Sequence, residues 1–467
     1  MQVLNDIVGF FTGTLNTVAW LYIFLPFAII GGVYLTIRTG AVQFSRFGYM
    51  LRNTVGKMFR SAKAGAGEVT PLQAVTTALA ATVGTGNIVG TSQAIALGGY
   101  GAVFWLWIAA LVGMVTKYSE VTLAVKYRER DDKGDWVGGP MYYIKNGMGK
   151  GWGWLAILFS LFAALASFGI GNMSQVNSIT GSVIGAVQQF TTVPEETAVI
   201  MRWVIGGVLA VLIGVILIGG IKRIGSVTEK LIPFMSLLYI IFTLVVIFGN
   251  IGSIGDAFGK IFSTAFTPQA MFGASTGIVL RETIVWGLRR SAFSNEAGLG
   301  SAAIAHAASS ETNPVRQGLY GIFEVFADTI VICTLTALTV IVSGVPIEFG
   351  VKPGSELIVS AFSTVFGGKI AALFVALALM LFAFSTVLGW ALYGARCVQF
   401  LFGTKAIRWY QVIFVLVAVV GCVTSVDVVW DISDTFNGLM AIPNFIAVFG
   451  LSGVVAKLTR EYFRKKK

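Results

Sequence analysis

Charge is scarce in this sequence: 12% of its 467 residues are Asp, Glu, Lys or Arg, about half the share expected of a soluble protein. With 56% hydrophobic residues and a mean hydropathy of +0.81, most of the chain must be solvated by lipid rather than water. Histidine is scarcer still. His306 stands alone, which excludes a histidine-rich metal centre and argues against a His-based triad. Cys333, Cys397 and Cys422 lie singly in apolar runs without CxxC spacing, so neither a disulfide framework nor a thiolate metal site is expected. Also missing is the period-2 alternation of a membrane barrel. Met1–Asn16 lacks a basic n-region and a small-residue cleavage site, so it does not read as a cleaved signal peptide.

What is present is long apolar runs. A bilayer core takes roughly 20 apolar residues per helix, and eleven stretches qualify: about 14–37, 70–98, 101–127, 153–187, 199–220, 226–250, 276–308, 316–344, 368–402, 408–424 and 430–457. The connections are short, and no soluble domain fits between them. The longest, 38–69, mixes basic and aromatic residues around Phe44–Phe59 and suits an interfacial amphipathic helix.

Lys and Arg placement orients the spans. Arg38, Arg46, Arg52, Lys57, Arg60 and Lys63 fall on the same side as Lys126, Arg128, Arg130, Lys133, Lys145 and Lys150. Lys222, Arg223, Lys230, Arg316, Arg396, Lys405, Arg408 and the basic end of the chain, 458–467, join them. The opposite side receives little beyond Arg202, Lys260, Lys352 and Lys369. The N-terminus is therefore expected outside and the C-terminal tail in the cytoplasm. The net charge of +11 reads as topology and anionic-lipid contact, not as a nucleic-acid footprint.

Two spans contain sequences that a plain lipid-facing helix would not choose. Ala80–Gly90 carries Gly84, Gly86 and Gly90 with Thr85 and Asn87 among them, which weakens the backbone ladder at mid-membrane. Phe293–Ser301 is a polar, small-residue run around Glu296. Free backbone groups at that depth persist only where they line a cavity or bind something, although close helix packing is the plainer alternative for the glycines. The two breaks lie five spans apart. Setting aside 1–69, with its extra helix and basic loop, residues 70–250 and 276–457 form two five-helix units. An odd number of helices per unit makes the second inverted, which is the pattern of an inverted-repeat transporter with its site at the midplane. Half-helix N-termini suit a carboxylate, and unwound carbonyls with nearby hydroxyls suit a small cation.

Gly98–Trp107 continuing to Gly113, Gly138–Tyr143 and Ser291–Gly298 resemble the signatures of the alanine or glycine:cation symporter family, with Leu106 where the signature usually has Met. The resemblance covers nearly the whole chain. It implies the leucine-transporter-type all-α membrane fold, with eleven transmembrane helices arranged as a 5+5 inverted repeat preceded by one extra helix. It further implies Na⁺- or H⁺-driven uptake of alanine or glycine across a prokaryotic plasma membrane, with no organic cofactor and a functional monomer. By the same similarity Ala80 and Val83 carbonyls join Ser385 and Thr386 hydroxyls around Na⁺. Gly84, Thr85, Gly86, Asn87, Gln175, Phe293, Ser294, Asn295 and Trp390 would line the substrate pocket.

Each residue also has a plainer reading. Ser385 and Thr386 can bond their own preceding turn, Phe293 and Trp390 can be packing, and Gln175 can serve interhelical hydrogen bonding. Glu296 is a candidate for cation or proton coupling, or for a gate clamped to Arg289 or Arg290, the preferred reading. Lys117 and Glu120 read as an i, i+3 pair. Glu324 and Asp328 share a face, with no role legible from sequence. A channel would want a filter or a continuously polar pore, and a membrane enzyme would want catalytic equipment that is missing here. Neither fits as well as a symporter; a same-fold carrier of another solute is the nearest rival.

Overall fold

The structure, a computed structural model, describes residues 9–58, 65, 67–267, 280–424 and 427–465. The start of the seventh expected span and of the second five-helix unit (276–279), Phe59, Arg60, Lys63, Lys466 and Lys467 lie outside the described residues. Apart from a two-residue hairpin pairing Glu129–Arg130 with Trp136–Val137 and an isolated bridge between Val69 and Ser309, the described chain is helical.

Helix α1 spans Thr12–Thr39. The broken element that follows is α2, Pro71–Thr82, then a wide turn at Gly86–Gly90 and α3, Thr91–Gly98. Next come α4 (Ala102–Lys126), α5 (Lys150–Gln188), α6 (Glu195–Ile218) and α7 (Gly220–Gly249). A second broken element is α8, Leu280–Asn295, with α9, Ser301–Ala307. Then follow α10 (Pro314–Val342), α11 (Gly368–Phe402) and α12 (Ala406–Val423), and finally α13 (Asp427–Gly450) and α14 (Ser452–Arg464). Among the described residues, eight helices are long and apolar enough to cross a bilayer, nine if the bent pair Ile432–Gly450 and Ser452–Arg464 counts as one. The expected spans 70–98 and 276–308 are not among them, because each is interrupted. The chain is an all-helical, multi-pass membrane protein.

The last expected span, 430–457, differs from the structure. The chain bends by 55° after Gly450, and α14 absorbs most of what reads as a free basic tail. Val455 and Ala456 are buried on one face of α14, so the apolar pattern continues past the bend and hides it. In the 38–69 loop, the interfacial stretch folds as short helices at Val42–Ser45, Phe47–Asn53 and Val55–Met58.

Burial sorts the spans. Only 17% of the apolar window of α6 is buried, against 67% for α11, so α6 faces lipid and α11 is central. Helix α11 packs against both halves of α5 and against α2. Gly389 lets it touch α2: a Cβ there would lie 2.7 Å from the Ala81 backbone nitrogen. The start of α2 is fixed by a capping box, in which the Thr70 hydroxyl accepts from the Gln73 N–H while Gln73 reaches back to the Thr70 N–H, with Pro71 in the first turn.

Candidate functional site

The first break follows from two diverted hydrogen bonds. The Gly84 N–H, which would continue the α2 ladder onto the Ala80 carbonyl, instead donates to Asn87 Oδ1 at 2.8 Å. The Asn87 N–H goes to the Gly84 carbonyl at 3.2 Å rather than to that of Val83. The Ala80 and Val83 carbonyls are thereby released from the helix. Both lie on the helix packed against α11, where the Ser385 hydroxyl stands 3.4 Å from the Val83 oxygen. The Ser385 and Thr386 hydroxyls also donate back to the Phe382 carbonyl, at 2.8 and 3.1 Å, the plainer role expected of them. The Val83 carbonyl and the Ser385 hydroxyl thus meet at the α2–α11 crossing, and hard oxygens of that kind suit a small cation.

Beside this crossing is a small cavity of about 20 Å³, lined among others by Gly84, Thr85, Gly86, Gln175, Phe293, Glu296, Thr386 and Trp390. That is room for a single water. Thr85 donates to Gln175 Oε1 at 3.1 Å, which ties the break to α5. Asn437 of α13 also lines the cavity, with its Oδ1 buried and unpartnered. Sequence reasoning passed over this residue, although an Asn inside an apolar run is a local signal. Phe293, Thr85 and Gly86 form a shared wall with a wider vestibule of about 280 Å³ lined by Gln93, Asn177, Arg290 and Lys352. One aromatic ring and one turn separate the two spaces.

Asn87 and Ser294 do not line the cavity. They sit behind it with Asp328, where Asn87 Nδ2 donates to Asp328 Oδ1 at 2.7 Å and Ser294 Oγ donates to Oδ2 at 2.7 Å. Thr329 Oγ1 adds a 2.8 Å bond to the same carboxylate. Asp328 therefore organises the residue that holds Gly84 out of the helix. Asn295 lies elsewhere, its Nδ2 bonded to Ser291 and Thr329 at 3.1 and 3.0 Å.

The expected clamp between Glu296 and the neighbouring arginines does not form. Arg289 pairs with Asp434 and with Asn16 Oδ1 at 3.0 Å, fastening α8 to α13 and α1. The Arg290 guanidinium lies over the rings of Trp286 and Phe293, 5.2 and 5.5 Å from their centroids. Glu296 turns the other way because its φ is +56°, a left-handed conformation costing about 1–3 kcal/mol for a non-glycine residue. It leads the chain out of α8, and its carboxylate accepts from Ser301 at the start of α9.

A scan against family models matches residues 2–467 to the sodium:alanine symporter family. The chain belongs to that family. It is 43% identical to the sodium/alanine symporter AgcS of Methanococcus maripaludis, with 96% of each chain covered. The amino-acid carrier protein AlsT of Bacillus subtilis is 36% identical over 98% of this chain and 94% of its own. The probable sodium/glutamine symporter GlnT of the same organism is also 36% identical, over 100% and 92%. The crystal structure of MhsT with L-phenylalanine shares the fold at a TM-score of 0.55 and 14% identity, covering 85% of this chain and 99% of that one. The chain is a sodium-coupled amino-acid symporter, not an enzyme.

In this symporter the second break is held by buried charges. Lys117 pairs with Glu324 at 3.2 Å rather than with Glu120, and both side chains are fully buried. Glu120 instead accepts from the Gly298 N–H at 3.0 Å and from Asn444 Nδ2 at 2.6 Å. Asn444 also donates to the Gly298 carbonyl at 2.8 Å, so both backbone polar groups of Gly298 are held from other helices. The i, i+3 reading fails because α10 and the broken element both pack against α4 and offer closer partners. His306 is part of the network. Its Nδ1 lies 2.8 Å from Gln317 Nε2 and its Nε2 lies 3.1 Å from Glu324 Oε2.

Proposed function

We propose that the chain carries a small amino acid, alanine or glycine, inward with Na⁺ by alternating access. Eleven spans follow if the two broken elements, 70–98 and 276–308, are counted with the nine. The 5+5 repeat begins at each break, with N-terminus outside and C-terminus in the cytoplasm. Na⁺ is the co-transported substrate, taken by the Ala80 and Val83 carbonyls and the Ser385 and Thr386 hydroxyls. The amino-acid carboxylate faces the N–H groups around Gly84 and Gly86, with Thr85 and Gln175 beside it. Phe293 and Trp390 close the pocket, and Arg290 stands on the vestibule side of Phe293 as a gate residue. The observation that carries this reading is the release of the Ala80 and Val83 carbonyls at the point where α11 presents two adjacent hydroxyls.

A cavity that holds one water must open to admit substrate, and the single ring of Phe293 is the thinnest wall. The aromatic walls select short side chains. Trp390→Ala should therefore raise uptake of leucine relative to alanine by about tenfold or more, measured by competition in proteoliposomes. Unchanged selectivity would remove Trp390 from the pocket.

The deciding experiment is uptake of labelled alanine into proteoliposomes under an inward Na⁺ gradient and, separately, an inward H⁺ gradient. Accumulation under Na⁺ alone supports the cation site at the α2–α11 crossing. Accumulation under H⁺ alone would overturn that site and move coupling to a carboxylate such as Glu296. Glutamine accumulating in place of alanine or glycine would overturn the substrate assignment and keep the ion site.

A further inference from the structure

At the far end of α14 lies a pocket that amino-acid transport does not use. It has a volume of about 410 Å³ and is lined by Gly40, Ser45, Arg46, Arg460, Phe463 and Arg464, among others. Helix α1 ends at Gly40, whose φ of +70° turns the chain sharply, and Ser45 closes the turn by donating to the Gly40 carbonyl at 3.0 Å. The 55° bend after Gly450 lays α14 across this turn, bringing Arg460 and Arg464 opposite Arg46.

The arrangement is one-sidedly basic. Arg46 is half-buried, with its guanidinium over the Phe463 ring at 4.7 Å from the centroid. Stacking fixes its plane and leaves its in-plane N–H donors for a ligand. Among the described residues none of the three arginines has a carboxylate partner. The nearby Glu461 is directed to Lys457, at 4.0 Å, and the Arg460 Nε donates only within its own helix, to the Ala456 carbonyl at 3.3 Å. Arg38, beside Gly453 at the other end of α14, adds to the basic character of this side. Three guanidinium groups with no carboxylate partner among the described residues, set around one cleft, want an anion with several oxygens.

Location decides which anion. Along α1, leading up to Gly40, Ile30, Val33 and Ile37 stand 70, 47 and 76% exposed, spaced to form one apolar strip. Such a strip in a membrane protein is covered by acyl chains, and it ends within a turn of the arginines. We propose that this pocket binds the phosphodiester headgroup of an anionic phospholipid, whose chains run along the α1 strip. The lipid would bridge the last turns of α14 to the end of α1, adding to the direct contact between the Tyr34 and Ser452 hydroxyls at 3.1 Å.

The test is native mass spectrometry of detergent-purified protein offered equal phosphatidylglycerol and phosphatidylcholine. The wild-type protein should retain phosphatidylglycerol preferentially. R46A/R460A should retain it roughly tenfold less or lower, since each arginine adds to headgroup attraction. K405A/R408A, which removes two basic residues elsewhere, should retain it as the wild type does. If the double variant is not monodisperse, Arg464→Ala, an exposed residue in the last turn, takes its place, with about threefold loss expected. Equal retention of both lipids by the wild type would overturn the proposal, as would equal loss in K405A/R408A. A thermal stabilisation by inorganic phosphate matching that by phosphatidylglycerol would also overturn it, in favour of a free-phosphate site.

Discussion

Lys117→Met should give a protein that unfolds well below the wild type, with a loss of about 3–5 kcal/mol, the usual result of removing one partner from a buried ion pair. The Lys117 ammonium is fully buried and faces Glu324, Glu296 and Glu120. Removing it leaves Glu324 with the His306 ring as its remaining partner, and a carboxylate at that depth without its ammonium must be neutralised or hydrated. The effect reaches the site, because Glu120 and Glu296 both hold the non-helical turn between α8 and α9. Thermal unfolding of detergent-purified protein checks the first expectation. A partial recovery in Lys117→Met/Glu324→Gln checks the cause, since the pair is then replaced by neutral groups. A single variant as stable as the wild type would show that the network is not held by Lys117.

The helix breaks were legible because their signals are local. Glycines with Thr85 and Asn87 between Ala80 and Gly90, or Glu296 amid small residues, conflict with a lipid-facing helix whatever packs around them. The adjacent hydroxyls of Ser385 and Thr386 carry no such local signal, since they can simply bond their own preceding turn, and only the family resemblance singles them out. Partner choice among charged side chains was not legible either. Lys117 and Glu120 satisfy the i, i+3 rule, yet the rule compares only neighbours on one helix, and Glu324 and the Gly298 N–H arrive from others. Arg289 likewise finds Asp434, which is 145 residues away, rather than Glu296, seven residues on. Asp328 and Asn437 show the middle case. Their polarity inside apolar runs marks them, but only the fold places Asp328 behind the first break and Asn437 on the cavity. The bend after Gly450 escaped notice because the buried face of α14 extends the apolar periodicity of α13.

Gly84→Ala should weaken sodium-driven uptake strongly at ordinary Na⁺ concentrations while leaving the protein inserted and folded. A Cβ on Gly84 would lie 2.4 Å from Thr386 Oγ1 and 3.6 Å from Gln175 Oε1, so the hydroxyl must move off the helix crossing. The backbone pays little, because Gly84 is not among the positive-φ glycines and alanine tolerates its conformation. The cost therefore falls on the oxygen set proposed for Na⁺, and losing one such ligand should raise the Na⁺ concentration for half-maximal uptake by roughly tenfold or more. Thr386→Ala alone should produce a shift of that size by deleting the same hydroxyl. The two changes act on one group, so the double variant should be no worse than Gly84→Ala, a non-additivity that separate sites do not show. Full addition of the two effects would mean that Gly84 acts on something other than Thr386, with its N–H toward the substrate carboxylate the next group to test. Na⁺ titration of alanine uptake in proteoliposomes separates the two cases, because loss of the cation site moves the Na⁺ dependence whereas loss of the carboxylate contact moves the KM for alanine.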